Sequence, residues 1–565
     1  MKREQIGLLL VKEGKLSEDM LIHALSEQKQ SKERLGHILV KNGYVKEKDI
    51  LQALSHQYNI PVEGLSGQRI DESISSKIPA KFAYQYKIVP LRKENNQLIV
   101  AVTDPLDLHA LDDLRLLLEC EIKAVLCPEK EILKALKGIY GVGAETMEQM
   151  AGNEKDEVIS DFSQLSVKEE ENVEDASIIK FVNQVIREAY QDRATDIHIE
   201  PYEDDLYVRY RVDGILHDVP TPASIKRFQA AIISRIKIMA DMNIAEKRLP
   251  QDGRIQFKMD NETVDLRVST LPILHGESVD LRILPRSQMH LGLDQLGLPP
   301  AYVQIIESLI RKPHGIMLVT GPTGHGKTTT LYACLSKINT PDKKIITVED
   351  PVEYQLKRIN QVPVHHKIGL TFANGLRSIL RQDPDVIMVG EIRDQETAEI
   401  AIRASLTGHL VFSTLHTNDA AGAITRLIDM GIEPYLVASS IEAILAQRLV
   451  RLLCPKCKVE YRPDRSILEK ERFDLGGDLK IFRSGSGCEE CRHTGYKGRT
   501  GIYEFLTLDE SVRKLVLEKT SSGIIKKEAL GKGMTTLRQD GWQKVKSGLT
   551  TIDEVLRVTT VISEQ

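Results

Sequence analysis

Residues 315–338 read Gly-Ile-Met-Leu-Val-Thr-Gly-Pro-Thr-Gly-His-Gly-Lys-Thr-Thr-Thr-Leu-Tyr-Ala-Cys-Leu-Ser-Lys-Ile. The first six residues form an apolar run of the kind used by a buried parallel strand, and the last ten open as a helix. Between them Gly321, Pro322, Thr323, Gly324, His325, Gly326, Lys327 and Thr328 satisfy G-x-x-x-x-G-K-[ST]. Strand, glycine loop and helix in that order form a phosphate-binding loop, because the glycines let backbone N–H groups converge on phosphate oxygens at a helix N-terminus. Lys327 is placed to reach the β- and γ-phosphates, and Thr328 to hold Mg²⁺ through its hydroxyl. Thr329 completes the set. A nucleoside triphosphate, ATP above all, is the expected ligand.

Downstream of the loop, two further apolar runs end in carboxylates. One runs from Ile345 through Glu349 and Asp350 to Tyr354, the other from Asp385 to Asp394 and includes Glu391. In a parallel sheet the C-terminal ends of strands converge on the crevice that holds the phosphate loop. Carboxylates there can hold Mg²⁺ through water or polarise an attacking water. A third run, His409 to Asn418, ends with His416, suited to sensing a γ-phosphate.

At 565 residues the chain has room for several domains. Its 41% hydrophobic and 28% charged content is that of an ordinary globular protein. A net charge of −5 leaves no basic excess for general nucleic-acid binding. The beginning of the chain becomes charged too early for a signal peptide, and no apolar run is long enough to span a bilayer. A cytoplasmic protein is expected, reaching any membrane through partners.

Residues 5–28 and 34–57 repeat one another. Gly7, Leu10, Gly14, Ala24, Leu25 and Gln28 recur as Gly36, Leu39, Gly43, Ala53, Leu54 and Gln57. Apolar positions at helical spacing and a glycine stop in each unit predict two packed helical hairpins over 1–58. Residues 59–143 mix short strand-like runs with helical stretches, as a small α/β docking domain would. Residues 144–175 turn acidic and polar and read as a linker, with a short helix as the alternative. Residues 176–290 begin with a helix from Ile178 to Gln191. Alternating strands follow, with arginines at the outward positions, predicting a half-exposed antiparallel sheet.

Seven cysteines are present. Cys454-Pro-Lys-Cys457 and Cys488-Glu-Glu-Cys491 enclose a long insert, and two Cys-x-x-Cys turns can complete a tetrahedral Zn²⁺ site. The alternative is four reduced thiols. Cys120, Cys127 and Cys334 read as ordinary buried thiols.

The order of phosphate loop, Val-Glu-Asp-Pro-Val-Glu-Tyr (348–354), Gly-Glu-Ile-Arg-Asp (390–394) and Ser-Thr-Leu-His-Thr-Asn-Asp-Ala (413–420) resembles the type II secretion and type IV pilus assembly ATPases. The resemblance covers residues 60–565. It implies a multidomain α/β chain with a PAS-like α+β domain at 176–290 and a RecA-like core at 300–451. A tetracysteine zinc insert at 452–495 and a C-terminal helical domain at 496–565 complete it. It also implies ATP hydrolysis in a homohexamer, attached to inner-membrane platform proteins through a recruiting subunit, with no direct nucleic-acid partner. Glu391 is the expected Walker B carboxylate and Glu349 the other catalytic candidate. Arg267, Arg282, Arg377, Arg381, Arg393 and Arg426 are candidate cations for a site shared between subunits. Relatives commonly carry a small residue at His325, so only its backbone N–H is expected to matter, with an inert, exposed side chain. A pH-sensitive contact is the alternative.

The N-terminal repeat resembles the tandem motif of a cyclic-di-GMP-binding domain. On that likeness Gln5, Gly7 and Gln28 of the first unit, and Arg34, Leu35, Gly36 and Gln57 of the second, would face the dinucleotide. The first unit has Gln5 where the motif has arginine. Secretion is favoured over pilus assembly by residues 404–409, by 417–423 and by the long insert. A DNA-translocating motor and a nucleotide-sensing signalling module are the other classes.

Overall fold

A computed structural model describes residues 6–31, 35–65, 72–75, 77–94, 97–104, 108–118, 120–144, 167–259, 262–284, 292–463, 468, 473 and 481–559. The chain divides into two compact units, Met1–Leu284 and Pro285–Gln565.

In the first unit the repeat forms α1 (Ile6–Lys12), α2 (Glu18–Ser31), α3 (Leu35–Lys41) and α4 (Glu47–Tyr58). The helices do not simply pair within each hairpin. α1 packs on α4 and α2 on α3, so the two units interlock. Leu10, Leu21 and Ala24 share one core with their counterparts Leu39, Ile50 and Ala53. Gly14 and Gly43 both turn at φ +70°, ending α1 and α3 in the same left-handed step.

After α5 (Glu72–Ser75) and α6 (Ala80–Tyr86) come β1 (Ile88–Glu94), β2 (Gln97–Val102), α7 (Leu108–Leu118), β3 (Glu121–Leu126) and α8 (Glu129–Tyr140). They build a three-stranded sheet in the order β1-β2-β3.

The helix expected from Ile178 begins at Val167, as α9 (Val167–Gln191), so for residues 167–175 the helical alternative to a linker holds. Their run of Lys and Glu carries no helix breaker, and helix propensity prevails. Next stand β4 (Ala194–Pro201), β5 (Leu206–Val212), β6 (Ile215–Val219), α10 (Gln229–Met239), β7 (Gln251–Lys258), β8 (Thr263–Ile273) and β9 (Gly276–Leu284). The sheet order is β6-β5-β4-β9-β8-β7, antiparallel throughout. Phe181 and Val185 of α9 and Ile232 and Ile236 of α10 bury its apolar face. Strand alternation leaves the other face charged.

The second unit opens with α11 (Pro300–Leu309), β10 (Gly315–Thr320), α12 (Lys327–Ile338), β11 (Ile345–Glu349), β12 (Ile359–Pro363), α13 (Phe372–Ile379), β13 (Val386–Val389), α14 (Gln395–Leu406) and β14 (Leu410–Leu415). α15 (Ala420–Asp429), α16 (Pro434–Ser440), β15 (Ile441–Leu453), β16 (Val459–Tyr461), β17 (Ile481–Arg483) and β18 (Tyr496–Thr507) follow. The last helices are α17 (Glu510–Leu517), α18 (Ser522–Gly531), α19 (Leu537–Lys546) and α20 (Ile552–Val558). The main sheet runs β12-β11-β13-β14-β10-β15-β18, with only β18 antiparallel to its neighbour. β10, β11, β13 and β14 are buried along their whole length, as sheets covered on both faces require.

One boundary needs correcting. Residues 496–507, expected to begin the C-terminal helical domain, are a strand of the main sheet, and helices start only at Glu510. The segment Ile502-Tyr503-Glu504-Phe505-Leu506, apolar but for Glu504, is fully buried beside β15, which outweighs the polar start of the strand. Among the described residues no helix is long and apolar enough to cross a membrane.

Candidate active site and tetracysteine cluster

β10 ends at Thr320 in the middle of the sheet, and the phosphate loop spans from it to α12. Its glycines are required twice over. Gly321, Gly324 and Gly326 all have positive φ, and a Cβ on Gly321 would stand 2.5 Å from the Gln447 carbonyl oxygen. Lys327 Nζ donates to the carbonyls of Gly321 (2.8 Å) and Pro322 (3.0 Å). Burial pulls its pKa down to about 8, against the opposing pull of Glu391. Pro322, Thr323 and Gly324 are exposed, while Thr328 and Thr329 are half-buried on the first turn of α12.

Glu391 sits just past β13, where the carbonyl of Gly390 accepts from Thr414 Oγ1 (2.8 Å) and Ile392 N donates to Thr414 O (3.0 Å). The hydroxyls of the third motif therefore tie the second motif in place. The Glu391 carboxylate pairs with Arg393 and stands 3.3 Å from His416 Nε2. Burial and the nearby Lys327 lower the His416 pKa, and Glu391 opposes them. Thr417 N and Oγ1 reach Thr320 Oγ1 at 3.0 and 2.6 Å. The loop carrying His416 is thus bonded to the residue immediately before Gly321.

Glu349 ends β11 beside Gly390, the residue before Glu391, but its side chain is bonded differently. Its carboxylate is buried (3% exposed) and accepts from Tyr332, from Thr347 Oγ1 at 2.6 Å and from Gln361 Nε2 at 3.1 Å. Burial raises its pKa against those three bonds. Its carboxylate is thus held by Tyr332 of α12, Thr347 and Gln361, whereas that of Glu391 meets Arg393 and His416.

His325 departs from expectation. Its side chain is half-buried, and its Nδ1 accepts the Leu449 backbone N–H at 3.0 Å. Burial, with Arg448 and Lys327 nearby, lowers its pKa to about 4. It is therefore a neutral acceptor near pH 7, neither an exposed bystander nor a switch in that range. The cause is β15, which extends beyond the end of β10 and presents an N–H that needs a partner.

Motif reading missed the β15 clamp altogether. Gln447 Nε2 donates to the His325 carbonyl (2.9 Å) while its Oε1 accepts from Thr330 Oγ1 (2.7 Å). Arg448, also buried, donates to Asn418 O at 2.8 Å. The one available signal was two polar residues inside an otherwise apolar run.

The arginines scatter. Arg377 pairs with Glu396, Arg381 bonds the Arg377 carbonyl and Ser378, and Arg426 is exposed on α15. Arg267 and Arg282 belong to the first unit. They are cross-strand partners in a row that runs Arg254, Arg267, Arg282, Asp196, Arg211 over β7, β8, β9, β4 and β5. Arg282 Nε donates to Asp196 at 2.9 Å.

Of the N-terminal candidates, Gln5 and Arg34 lie outside the described residues. Gly7, Leu35 and Gly36 lie on α1 and α3, Gln28 on α2, and Gln57 near the end of α4. A Cβ on Gly7 would meet Leu21 at 2.5 Å, so that glycine has a packing reason of its own.

Cys454 follows β15 directly, and Cys491 stands shortly before β18. The antiparallel pairing from Ala443–Thr507 to Leu453–Tyr496 brings the two Cys-x-x-Cys turns together, whatever the length between them. All four Sγ atoms lie within 4.8 Å of one another, with pairs at 3.6, 3.6 and 3.8 Å. Sulfurs about 2.3 Å from a shared Zn²⁺ form a tetrahedron with edges of about 3.8 Å, so this donor set fits. The backbone N–H groups of Cys488 and Gly495 point at Cys491 Sγ (3.2 and 3.3 Å), as a thiolate needs. Of the other cysteines, Cys127 and Cys334 are buried and Cys120 is half-buried.

Two family models match the chain. Residues 171–557 match the family model described as Type II/IV secretion system protein, and residues 58–146 match the MshEN domain. The second match begins after the helical repeat. The chain is 42% identical over 98% of its length, and 98% of the relative's, to the type IV pilus assembly ATPase PilB of Myxococcus xanthus. It is 54% identical to the type II secretion system protein E of Aeromonas hydrophila, over 68% of this chain and 76% of that one. A solved structure of the Yersinia pseudotuberculosis ATPase DotB shares the fold, with a TM-score of 0.50 at 20% identity over 67% of this chain and 93% of that one.

Proposed function

The chain belongs to the Type II/IV secretion system protein family and is an ATPase, and we propose that it is a cytoplasmic ring hexamer whose hydrolysis of ATP drives pseudopilus assembly in type II secretion. The observation that carries the reading is the meeting of Glu391 and His416 beside the Lys327 loop, in a chain 54% identical to a secretion protein E.

The loop's N–H groups cradle the phosphates, and Lys327 exchanges the Gly321 and Pro322 carbonyls for phosphate oxygens. Mg²⁺, held by Thr328, would neutralise developing charge on the phosphates. Glu391 orients the attacking water, and His416, bonded to it, senses the γ-phosphate. Arg267 and Arg282 supply charge from a neighbouring copy. Zn²⁺ on Cys454, Cys457, Cys488 and Cys491 would close the end of the β15–β18 hairpin as a structural ion. The interlocked helices at 6–58 are proposed to bind cyclic-di-GMP, on the likeness of their repeat. Recruitment to the inner membrane is assigned to platform and recruiting proteins.

Deleting the gene should abolish secretion, and Lys327→Ala should not restore it. Hydrolysis at the wild-type rate by Lys327→Ala protein would refute the site. A second reading, pilus extension, is favoured by the near-complete coverage of the Myxococcus xanthus relative. Loss of surface pili with intact secretion would decide for it. Metal analysis should give about one Zn per chain, and less than about 0.2 would leave four thiols. Heat released on titrating cyclic-di-GMP into the full chain tests the N-terminal assignment, which no heat at high micromolar ligand would end.

A further inference from the structure

We propose that Lys526, on α18 and far from every nucleotide motif in the sequence, is a positioning residue for hydrolysis that holds the His416 loop through a charge trio with Asp419 and Glu504. The proposal rests on the reading of the phosphate loop, Glu391 and His416 as the hydrolytic site, and deepens it.

The loop 416–419 joins β14 to α15 and has four anchors. Thr417 bonds to Thr320, at the threshold of the phosphate loop, and Arg448 of β15 holds Asn418 O. Asp419 Oδ1 caps α15 by accepting Gly422 N at 2.8 Å, and Glu504 Oε1 of β18 accepts Ala420 N at 2.9 Å. Two carboxylates therefore serve one helix N-terminus. The helix dipole favours each, but they repel one another, and Glu504 is almost wholly buried (1% exposed). Lys526 Nζ bridges them, at 2.8 Å from Asp419 Oδ2 and 3.3 Å from Glu504 Oε2. The trio uses one oxygen of each carboxylate for the helix and the other for the ammonium.

Without Lys526, the two adjacent carboxylates lose the ammonium that bridges them and keep only the longer-range attraction of Arg448, whose guanidinium is committed to the carbonyls of Gln447 and Asn418. The strain is relieved by moving Asp419 or by protonating Glu504, and either change shifts a loop whose other end is His416. Lys327 is held separately, by the carbonyls of Gly321 and Pro322, so nucleotide binding should be spared. The C-terminal helices thereby take part in setting the geometry of the γ-phosphate sensor.

Steady-state hydrolysis by the full-length Lys526→Met protein tests this, with Lys526→Arg, Asp419→Asn and the Lys526→Met/Asp419→Asn double variant alongside. Lys526→Met should lower kcat at least tenfold while KM for ATP stays within threefold, and Lys526→Arg should recover to within threefold of wild type. Asp419→Asn keeps an oxygen for Gly422 N but loses its charge, and so reads the same contact even if Lys526→Met folds poorly. The double variant should fall no further than the worse single one, because both remove one interaction. A Lys526→Met kcat within twofold of wild type, single losses that multiply in the double, or a KM that rises in step with the fall in kcat would each overturn the proposal. Lys327→Ala is run in parallel. If it hydrolyses normally, the phosphate-loop reading has failed. If it is inactive while Lys526→Met is normal, only the role of Lys526 has failed.

Discussion

Glu349 ends β11 and Glu391 lies just past the end of the neighbouring parallel strand β13, yet their carboxylates occupy opposite kinds of environment. Glu391 faces Arg393 and His416, within electrostatic range of Lys327, at a place a phosphate can reach. Glu349 is enclosed by Tyr332, Thr347 and Gln361 with every contact internal. Strand-end position identifies carboxylates near a crevice, but packing of the adjoining helix decides which one opens onto it. Here Tyr332, about one turn beyond the phosphate loop on α12, closes over Glu349.

The largest expected effect follows from that contrast. Glu391→Gln should reduce kcat by about 10²–10⁴-fold, the range for a group that positions or deprotonates a nucleophile, while ATP affinity changes little. Single-turnover hydrolysis and equilibrium nucleotide binding measure the two quantities. If Glu349→Gln proved the more damaging of the two for kcat, the assignment of open and closed carboxylates would be reversed.

A second effect sharpens the open side. Lys327 has a pKa of about 8, below its ordinary 10.5, because it is buried. Only the protonated form attracts phosphate, so affinity for ATP should be flat near pH 7. It should weaken by up to about tenfold per pH unit once the free enzyme loses that proton above pH 8. Binding isotherms between pH 7 and 10 would show the break. A flat profile would mean that Lys327 stays charged throughout.

The closed side predicts a stability effect instead. Glu349→Gln keeps the shape but weakens a buried set of three donors, at a cost of about 1–3 kcal/mol in unfolding free energy. The kcat of the folded protein should fall less than tenfold. Denaturant melts and turnover on the same preparation separate the two.

Much of this was legible from local pattern. The phosphate loop, the buried strands and the helices declare themselves within a dozen residues, because glycine conformation and apolar periodicity are short-range properties. The β15 clamp was not, since Gln447 and Arg448 acquire meaning only where β15 outruns β10 and meets the loop. The strand at 496–507 was hidden for the same reason. Its partner lies across the cysteine hairpin, and its polar beginning resembled a turn into helices. In the N-terminal repeat, periodicity revealed four helices but not that α1 would choose α4.

His325 provides the smallest and most specific test, because it is a closed-type contact inside the open loop. Its Nδ1 satisfies the Leu449 N–H, so His325→Ser should leave that donor short of a partner, at a cost of about 1 kcal/mol, with kcat nearly unchanged. The pH dependence fixes the cause. With a folded pKa of about 4 against an ordinary 6.5, the folded protein binds fewer protons than the unfolded chain between those values. The histidine's contribution is therefore fully present above pH 6.5 and is lost as pH falls towards 4. Melting temperatures measured from pH 7.5 down to 4.5 should show the wild-type advantage over His325→Ser shrink and then vanish or reverse towards the acid end. Parallel curves would show that the imidazole titrates normally and that the loop is held by Gln447 alone.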